Sequence, residues 1–281
     1  MVIGFFCYTA ALTFYYGLGP GWKLLAAILP IVLFALAYAA TRHNRRSTSL
    51  ARDWVVPAAA LAGYWQVGWF GGGHFLSAWE ETLLNWDRFL LNTVGLRALI
   101  ESAGAFLPWL LEFSYTSLYT VPGICIAILY WSGARLRVDK FLVTFALGTL
   151  GAYALLPYFR VDSPRLVFPG QDLPNFNVFW RSINVWLLNR LDITTSVFPS
   201  GHVAVAFSSA FGFRRALPGN RPAFLGLLAV AICVYLATIY GRYHYAADGL
   251  ASIAISLLAW GACEVAEPRS AGANCCNTDT V

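Results

Sequence analysis

Two short segments place histidines where they could act on a phosphate ester. Pro199-Ser200-Gly201-His202 has the residues of a helix start: proline for the first turn, serine as a cap, and glycine for close backbone approach. Such a start presents free N–H groups and a positive dipole end to an anion. His244 and Asp248 are four residues apart, so on a helix they share one face. A carboxylate that binds one ring nitrogen leaves the other as nucleophile or base.

Two arginines accompany these histidines. Arg165 follows the fifth apolar run, and Arg242 precedes His244 by two residues. The guanidinium group is a planar fork that suits phosphate oxygens. Each feature also has a plain alternative: an interfacial arginine, a capped helix with an incidental histidine, or a polar pair that joins two helices. All of them on one face of a membrane protein favour a phosphate site.

The elements that must position these residues are membrane helices. The chain is 58% hydrophobic and 12% charged, whereas soluble domains average about 45–50% and about 25%. Its apolar residues form runs near the roughly 20 that a span needs. The net charge of +5 does not indicate nucleic-acid binding, because the basic residues cluster between these runs. The eight candidate spans are Val2–Leu18, Trp22–Ala40, Trp54–Phe70, Phe106–Trp131, Phe141–Pro157, Phe198–Phe213, Ala223–Tyr240 and Ala246–Cys263.

The predicted fold is therefore all-α: a polytopic membrane helix bundle with a six-helix catalytic core and two extra N-terminal transmembrane helices. The first, third and sixth spans are short, so six or seven spans are alternatives. The predicted division is residues 1–72 for N-terminal transmembrane helices, 73–263 for the membrane core, and 264–281 for a disordered cytoplasmic tail. Two half-polar stretches, His74–Ser102 and Phe179–Leu191, have the pattern of helices that lie in the headgroup region.

Basic residues predict the orientation. Side A, which bears the connection between the second and third spans, carries eleven of the nineteen lysines and arginines, mostly in short loops. Short loops rich in lysine and arginine stay in the cytoplasm. With eight spans, Arg165, the segment Pro199–His202 and the segment Arg242–Asp248 all fall on the opposite face, side B. The predicted site of this integral membrane protein of the plasma or inner membrane then faces the periplasm, the exterior or a lumen.

At these segments the chain resembles the type-2 phosphatidic acid phosphatase superfamily, whose motifs are Lys-x6-Arg-Pro, Pro-Ser-Gly-His and Ser-Arg-x5-His-x3-Asp. The second motif is intact at Pro199–His202, and the His-x3-Asp half of the third is present at His244–Asp248. The resemblance covers about Phe141–Cys263. It departs from the pattern at Tyr158, where the lysine would stand, and at Ala237-Thr238, where Ser-Arg would stand. The Pro-Arg and Arg-Tyr-His-Tyr details resemble inositol phosphorylceramide and sphingomyelin synthases.

The resemblance implies a lipid phosphatase or phosphotransferase with a phosphohistidine intermediate. His244 would be the nucleophile, Asp248 would orient it, and His202 would be the acid and base. Phosphoryl oxygens would contact the residues Arg165, Ser200, Gly201 and Arg242. The implied substrate is a lipid phosphate or phospholipid, with no metal and no cofactor. The alternatives are a head-group transferase of the inositol phosphorylceramide synthase type and a non-catalytic transporter of anionic lipids.

Overall fold

The computed structural model of the chain describes residues 1–42, 46–71, 78–159, 161–193 and 196–267. All regular structure within these ranges is helical, which confirms the predicted fold class. The α-helices of the described ranges are α1 (Val2–Tyr15), α2 (Pro20–Arg42), α3 (Arg46–Val67), α4 (Ala78–Arg88), α5 (Leu96–Glu101), α6 (Phe106–Ser117), α7 (Val121–Trp131), α8 (Val138–Leu155), α9 (Pro164–Val167), α10 (Phe179–Leu191), α11 (Gly201–Ala216), α12 (Arg221–Tyr240) and α13 (Ala246–Ala266).

Five helical segments of the described ranges are long and apolar enough to cross a membrane. The remaining three of the eight predicted spans are helices as well, but each differs from a plain lipid-facing span. Helices α1 and α11 have 14 and 16 residues, fewer than the roughly 20 of a full span. Helix α3 contains Arg52, Asp53 and Gln66, which lower its hydropathy. The five segments are Pro20–Tyr38, Phe106–Trp131, Arg135–Tyr158, Arg221–Tyr240 and Ala246–Ala266.

Helix α11, which begins at the predicted Ser-Gly-His motif, is the centre of the bundle. Thirteen of its 16 residues are buried, and it packs against α8, α12 and α13. Glycines permit these close crossings: a Cβ at Gly148 of α8 would collide with Ser208, and one at Gly212 would lie 2.8 Å from the Phe141 carbonyl oxygen. Small residues let membrane helices approach closely. Because protein surrounds α11, it does not need the length or apolarity of a lipid-facing span.

Helices α4 and α10 cover the end of the bundle where α11 and α13 begin. Helix α10 has the bounds that the sequence predicts for an interfacial helix. Its Asn184 Nδ2 donates a hydrogen bond of 2.7 Å to Glu112 Oε2 on α6. On α4, Asp87 Oδ1 accepts a hydrogen bond of 2.9 Å from the backbone N of Ala246, the first residue of α13. These polar contacts fix both helices over side B.

The N-terminal helices pack onto the same bundle. Tyr8 of α1 donates a hydrogen bond of 2.7 Å to the carbonyl oxygen of Ala154 on α8. Thr9 of α1 donates one of 3.0 Å to Gln66 Oε1 of α3, and α3 also packs against α7 and α8. The predicted boundary at residue 72 stays a prediction. At the other end, α13 continues to Ala266, three residues into the predicted tail 264–281; residues 268–281 lie outside the described residues.

Candidate active site

The start of α11 positions His202. Ser200 is the N-cap, and its Oγ accepts a hydrogen bond of 3.4 Å from the backbone N of Val203, as the sequence predicts. The backbone N of Ser200 donates to the carbonyl oxygen of Asp248 at 3.1 Å. Ser252 Oγ donates to the carbonyl oxygen of Ser200 at 2.7 Å. The first turn of α11 is therefore tied to the first turns of α13, and His202 lies in it with 6% of its surface exposed.

Gly201 has a packing reason to be glycine. A Cβ at this position would lie 2.9 Å from Tyr153 Cε1 and 3.2 Å from Tyr64 Cε2. The space of a side chain is thus already filled by two tyrosine rings. The sequence predicts a glycine that lets a ligand approach the backbone, whereas the structure shows aromatic rings against the same position.

The two histidines and Asp248 form a buried chain of contacts. His202 Nδ1 lies 3.2 Å from His244 Nε2, and His244 Nδ1 lies 3.4 Å from Asp248 Oδ2. Both histidines are at most 6% exposed, and Asp248 is fully buried. The 3.4 Å contact does not have hydrogen-bond geometry, since His244 Nδ1 makes no hydrogen bond among the described residues. Nε2 is the nitrogen of His244 that faces His202.

The spacing of His244 and Asp248 has a different basis from the predicted one. Helix α13 begins at Ala246, so His244 lies in the preceding connection and the two residues do not share a helical face. Asp248 instead reaches back from the first turn, where its Oδ2 also accepts a hydrogen bond of 3.0 Å from the backbone N of Tyr245. The carboxylate thereby holds the connection and its histidine together.

Burial sets the charge of His244. Desolvation lowers the pKa of His244 to about 4, Asp192 opposes this shift, and Arg165 adds to it. The imidazole is therefore neutral at neutral pH. A neutral imidazole keeps one nitrogen lone pair, and a nucleophile or base needs that lone pair.

Arg165 stands close enough to influence the histidines, but it is held by α10. Its Nη2 lies 3.2 Å from Asp192 Oδ2, and its Nη1 donates a hydrogen bond of 2.8 Å to Asn189 Oδ1. Tyr64 of α3 donates a short hydrogen bond to the other oxygen of Asp192. The Nε of Arg165 is buried without a hydrogen-bond partner among the described residues. This guanidinium group is thus positioned by an acidic residue and retains a free donor.

Arg242 is directed at α4. It is 1% exposed, has a left-handed backbone φ of 65°, and its Nη1 donates a hydrogen bond of 2.7 Å to Asp87 Oδ2. Because Asp87 also accepts from Ala246 N, this pair holds the connection that carries His244. Within the described ranges, Nε and Nη2 of Arg242 have no hydrogen-bond partner. The contact with phosphate that the resemblance implies for Arg242 stays a prediction.

Tyrosines from three helical segments surround the ring of His202. Tyr115 stacks on it with ring centroids 5.1 Å apart, and Tyr64 meets it edge-on at 5.9 Å. Tyr119 OH lies 3.3 Å from His202 Nε2. The sequence motifs include none of these tyrosines, nor Asp192 or Asp87. The one local signal is that Tyr115 and Tyr119 are four residues apart in one predicted span, a spacing that places them on one helical face.

The hydrogen-bonding atoms fit one assignment of ring protons. If Tyr119 donates to His202 Nε2, then His202 Nδ1 carries a proton and donates to His244 Nε2, and His244 Nδ1 carries its proton toward Asp248. In this assignment the N–H of His202 Nδ1 faces the lone pair of His244 Nε2. The two side chains can then supply an acid and a nucleophile to one bound molecule.

Comparisons with known proteins identify the family of the chain. A family model described as the PAP2 superfamily matches residues 81–262, more than half of the chain. A PA-phosphatase related-family protein of Dictyostelium discoideum is 35% identical over 114 residues, which cover 36% of this chain and 20% of that protein. The chain thus matches about a fifth of the length of that relative. No solved structure matches the chain significantly. On the extent of the family match, the chain belongs to the PAP2 superfamily.

Proposed function

We propose that this protein is a membrane enzyme that cleaves a phosphate ester of a lipid through a phosphohistidine on His244. The observation that supports the proposal most directly is the buried chain Asp248, His244 and His202, in which His244 Nε2 lies 3.2 Å from His202 Nδ1 and His244 Nδ1 lies 3.4 Å from Asp248 Oδ2. Phosphoryl transfer depends mainly on positioning and charge stabilisation. The start of α11 can supply positioning through His202 and charge stabilisation through its helix dipole.

The reaction has two balanced steps. When the phosphate anion binds, His202 takes up a second proton on Nε2, and the Tyr119 oxygen accepts a hydrogen bond from it. The lone pair of His244 Nε2 attacks phosphorus, the bond between phosphorus and the lipid oxygen breaks, and His202 Nδ1 gives its proton to that oxygen and becomes neutral. His202 then removes a proton from water, whose oxygen attacks phosphorus while the bond to His244 breaks. Asp248 stabilises the positive imidazole that develops in between. Every role belongs to a side chain of this protein, so the proposal invokes no metal and no cofactor.

The anion contacts are assigned to donors around the two rings. Arg165 has one unused buried nitrogen, and Ser200 and Gly201 begin α11, where the helix dipole favours a negative charge. Arg242 pairs with Asp87 on α4 and is included in the proposal only through its two unused nitrogens. Because the site lies at side B, opposite the short basic loops, the proposal places it on the non-cytoplasmic face.

The same first step also serves a transferase. A lipid hydroxyl in the place of water would receive the phosphorylated group, as in the inositol phosphorylceramide and sphingomyelin synthases that Arg242–Asp248 resembles. Transfer and hydrolysis differ only in the acceptor of the second step. Adding an acceptor alcohol to the assay therefore separates them by product.

The test uses the full chain purified in detergent and a panel of lipid phosphates and phospholipids. We expect release of phosphate or of a phosphorylated group, and a base-stable, acid-labile phosphoryl adduct on the peptide that contains His244. His244→Ala abolishes turnover and the adduct. Cys263→Ala, at the opposite end of α13, serves as the matched control with unchanged turnover.

Equal activity of His244→Ala and the wild type would refute the mechanism. Movement of lipid without cleavage would favour a transporter.

A further inference from the structure

A cavity of about 570 Å³ lies beside the candidate site, between α3, α7 and the central helices. This volume is in the range of about 300–1,000 Å³ that is usual for small-molecule pockets. His202, Gly201 and Tyr119 line the end of the cavity that is nearest to the site. Trp54 and Ala127 line it farther along α3 and α7. The cavity thus ends against His202, whose Nδ1 contacts His244 Nε2.

The chemistry of the lining changes along the cavity. The hydroxyl and imidazole groups belong to tyrosines 64, 119 and 153, Thr120 and His202, all near the start of α11 or the end of α3. Beyond them the walls are apolar, with Leu61, Ile124 and Ala127 among the lining residues. A ligand that fits both ends has a polar head at His202 and a hydrocarbon body.

The cavity is open at the flank of the bundle. Leu61 of α3 is 42% exposed and Ile124 of α7 is 45% exposed, although both lie in apolar helices. These side chains therefore face lipid and not a further protein layer of the described chain. Trp54 narrows the cavity toward side A, since its ring would lie 3.1 Å from a Cβ at Gly123.

The length of the cavity matches one leaflet. From Tyr64 to Trp54, α3 advances ten residues, and from Tyr119 to Ala127 the facing segment advances eight. At about 1.5 Å per residue these distances are about 15 Å and about 12 Å. The hydrocarbon core of a bilayer is about 30 Å thick, so one leaflet is about half of that.

From this geometry we infer that the groove between α3 and α7 binds an acyl chain of the lipid phosphate, with the phosphoryl group at His202. The inference rests on the proposed function and adds the part of the protein that selects the lipid. Helix α3, which forms one wall, lies before the residues 81–262 that match the family. Selectivity for chain length is therefore assigned to a groove with one wall, α3, outside the matched stretch and the other, α7, inside it.

The first test fills the groove without touching the catalytic side chains. Ala127→Phe adds a ring at an exposed lining position, and Ala254→Phe adds the same ring at an exposed position of α13 away from the groove. Substrates are dipalmitoyl and dibutyryl phosphatidic acid. We expect Ala127→Phe to lower kcat/KM for the long-chain substrate about tenfold or more, since loss of two buried methylenes alone corresponds to roughly that factor. We expect kcat/KM of Ala127→Phe for the short-chain substrate to stay within about twofold of the wild-type value. Ala254→Phe should leave kcat/KM unchanged for both substrates.

Three outcomes are informative. An equal loss on both substrates, or no loss on either, overturns the groove while the proposed function stands. If the wild type cleaves neither substrate, the same two chain lengths are prepared for a lipid of the panel that it does cleave. A wild-type protein that cleaves no lipid of the panel overturns the proposed function itself. If a bulk membrane lipid occupies the groove in place of the substrate chain, Ala127→Phe leaves the ratio of long-chain to short-chain kcat/KM unchanged. That result also counts against the inference.

A second test needs no substituted protein. A phosphonate analogue of the lipid, with a photoreactive diazirine at the chain end, is irradiated with the wild-type chain in detergent. We expect labelling of the peptides around Trp54 and Ala127, with competition by unlabelled phosphatidic acid. A phosphatidylcholine with the same diazirine is the control for general lipid contact. Labelling confined to α12 or α13, or labelling equal to that of the phosphatidylcholine, overturns the inference.

Discussion

A methyl group at Gly201 tests how tightly the site is packed. In Gly201→Ala the new Cβ would lie 2.9 Å from Tyr153 Cε1 and 3.2 Å from Tyr64 Cε2, whereas ordinary contacts of a Cβ are 3.4–4 Å. To restore ordinary contact the Tyr153 ring must move by about 0.5 Å and the Tyr64 ring by about 0.2 Å, and overpacking of this kind costs about 1–3 kcal/mol. We expect the free energy of unfolding, measured by SDS titration in mixed micelles, to fall by this amount.

The same substitution should lower activity through the displaced rings. Tyr64 holds Asp192, and Asp192 holds Arg165, so a shift of Tyr64 moves the guanidinium group that is proposed to bind phosphate. A misplacement of about 1 Å near reacting atoms can cost up to about 10²-fold, and the movement required of Tyr64 is a fraction of that distance. We therefore expect kcat/KM for a lipid phosphate to fall severalfold, up to about tenfold.

Two further variants make this prediction specific. Gly261→Ala, in a part of α13 with open space around the new methyl, should gain about 0.5–1 kcal/mol because alanine favours a helix. Tyr153→Leu combined with Gly201→Ala removes the nearer clash, so the effects of the two substitutions should be non-additive by about 1 kcal/mol or more. Additive effects, or a Gly201→Ala protein with wild-type stability, would refute the packing argument.

Two other predictions concern charged and titrating groups. Because burial lowers the pKa of His244 to about 4, its neutral form persists as the pH falls, and the acid limb of log kcat/KM against pH should bend near pH 4; a bend at the ordinary histidine value of about 6.5 would contradict this. Glu112→Gln leaves Arg181, which lies 3.1 Å from Glu112 Oε1, without its buried counter-ion and should cost about 2 kcal/mol or more in SDS unfolding, whereas Glu81→Gln at the surface should change stability by less than about 0.5 kcal/mol.

The parts of the site that the sequence could predict depend on local chemistry. The cap at Ser200 follows from neighbouring residue types, and the apolar runs predict the helices that carry the motif. The bounds of the helix Phe179–Leu191 follow from its half-polar pattern, whereas its position in the headgroup region stays a prediction. Even so, the spacing of His244 and Asp248 suggested a shared helical face, while the helix starts two residues after His244.

The remaining parts could not be predicted because they are long-range contacts. Asp192 meets Tyr64 from 128 residues away, and Arg242 meets Asp87 from 155 residues away. No periodic pattern links such positions, and an acidic residue in a polar loop has no feature that marks it as a partner. The sequence predicts both Arg165 and Arg242 as phosphate ligands. The structure shows that each already pairs with a carboxylate, Arg165 with Asp192 and Arg242 with Asp87.

The contact between the two imidazoles has a consequence for the idle protein. At 3.2 Å, Nε2 of His244 is covered by the neighbouring ring, and no phosphorus atom can fit between nitrogens that are so close. In the proposed mechanism, the two rings must therefore separate before His244 Nε2 can reach phosphorus. Until they do, the neighbouring ring of His202 also keeps other electrophiles away from that nitrogen.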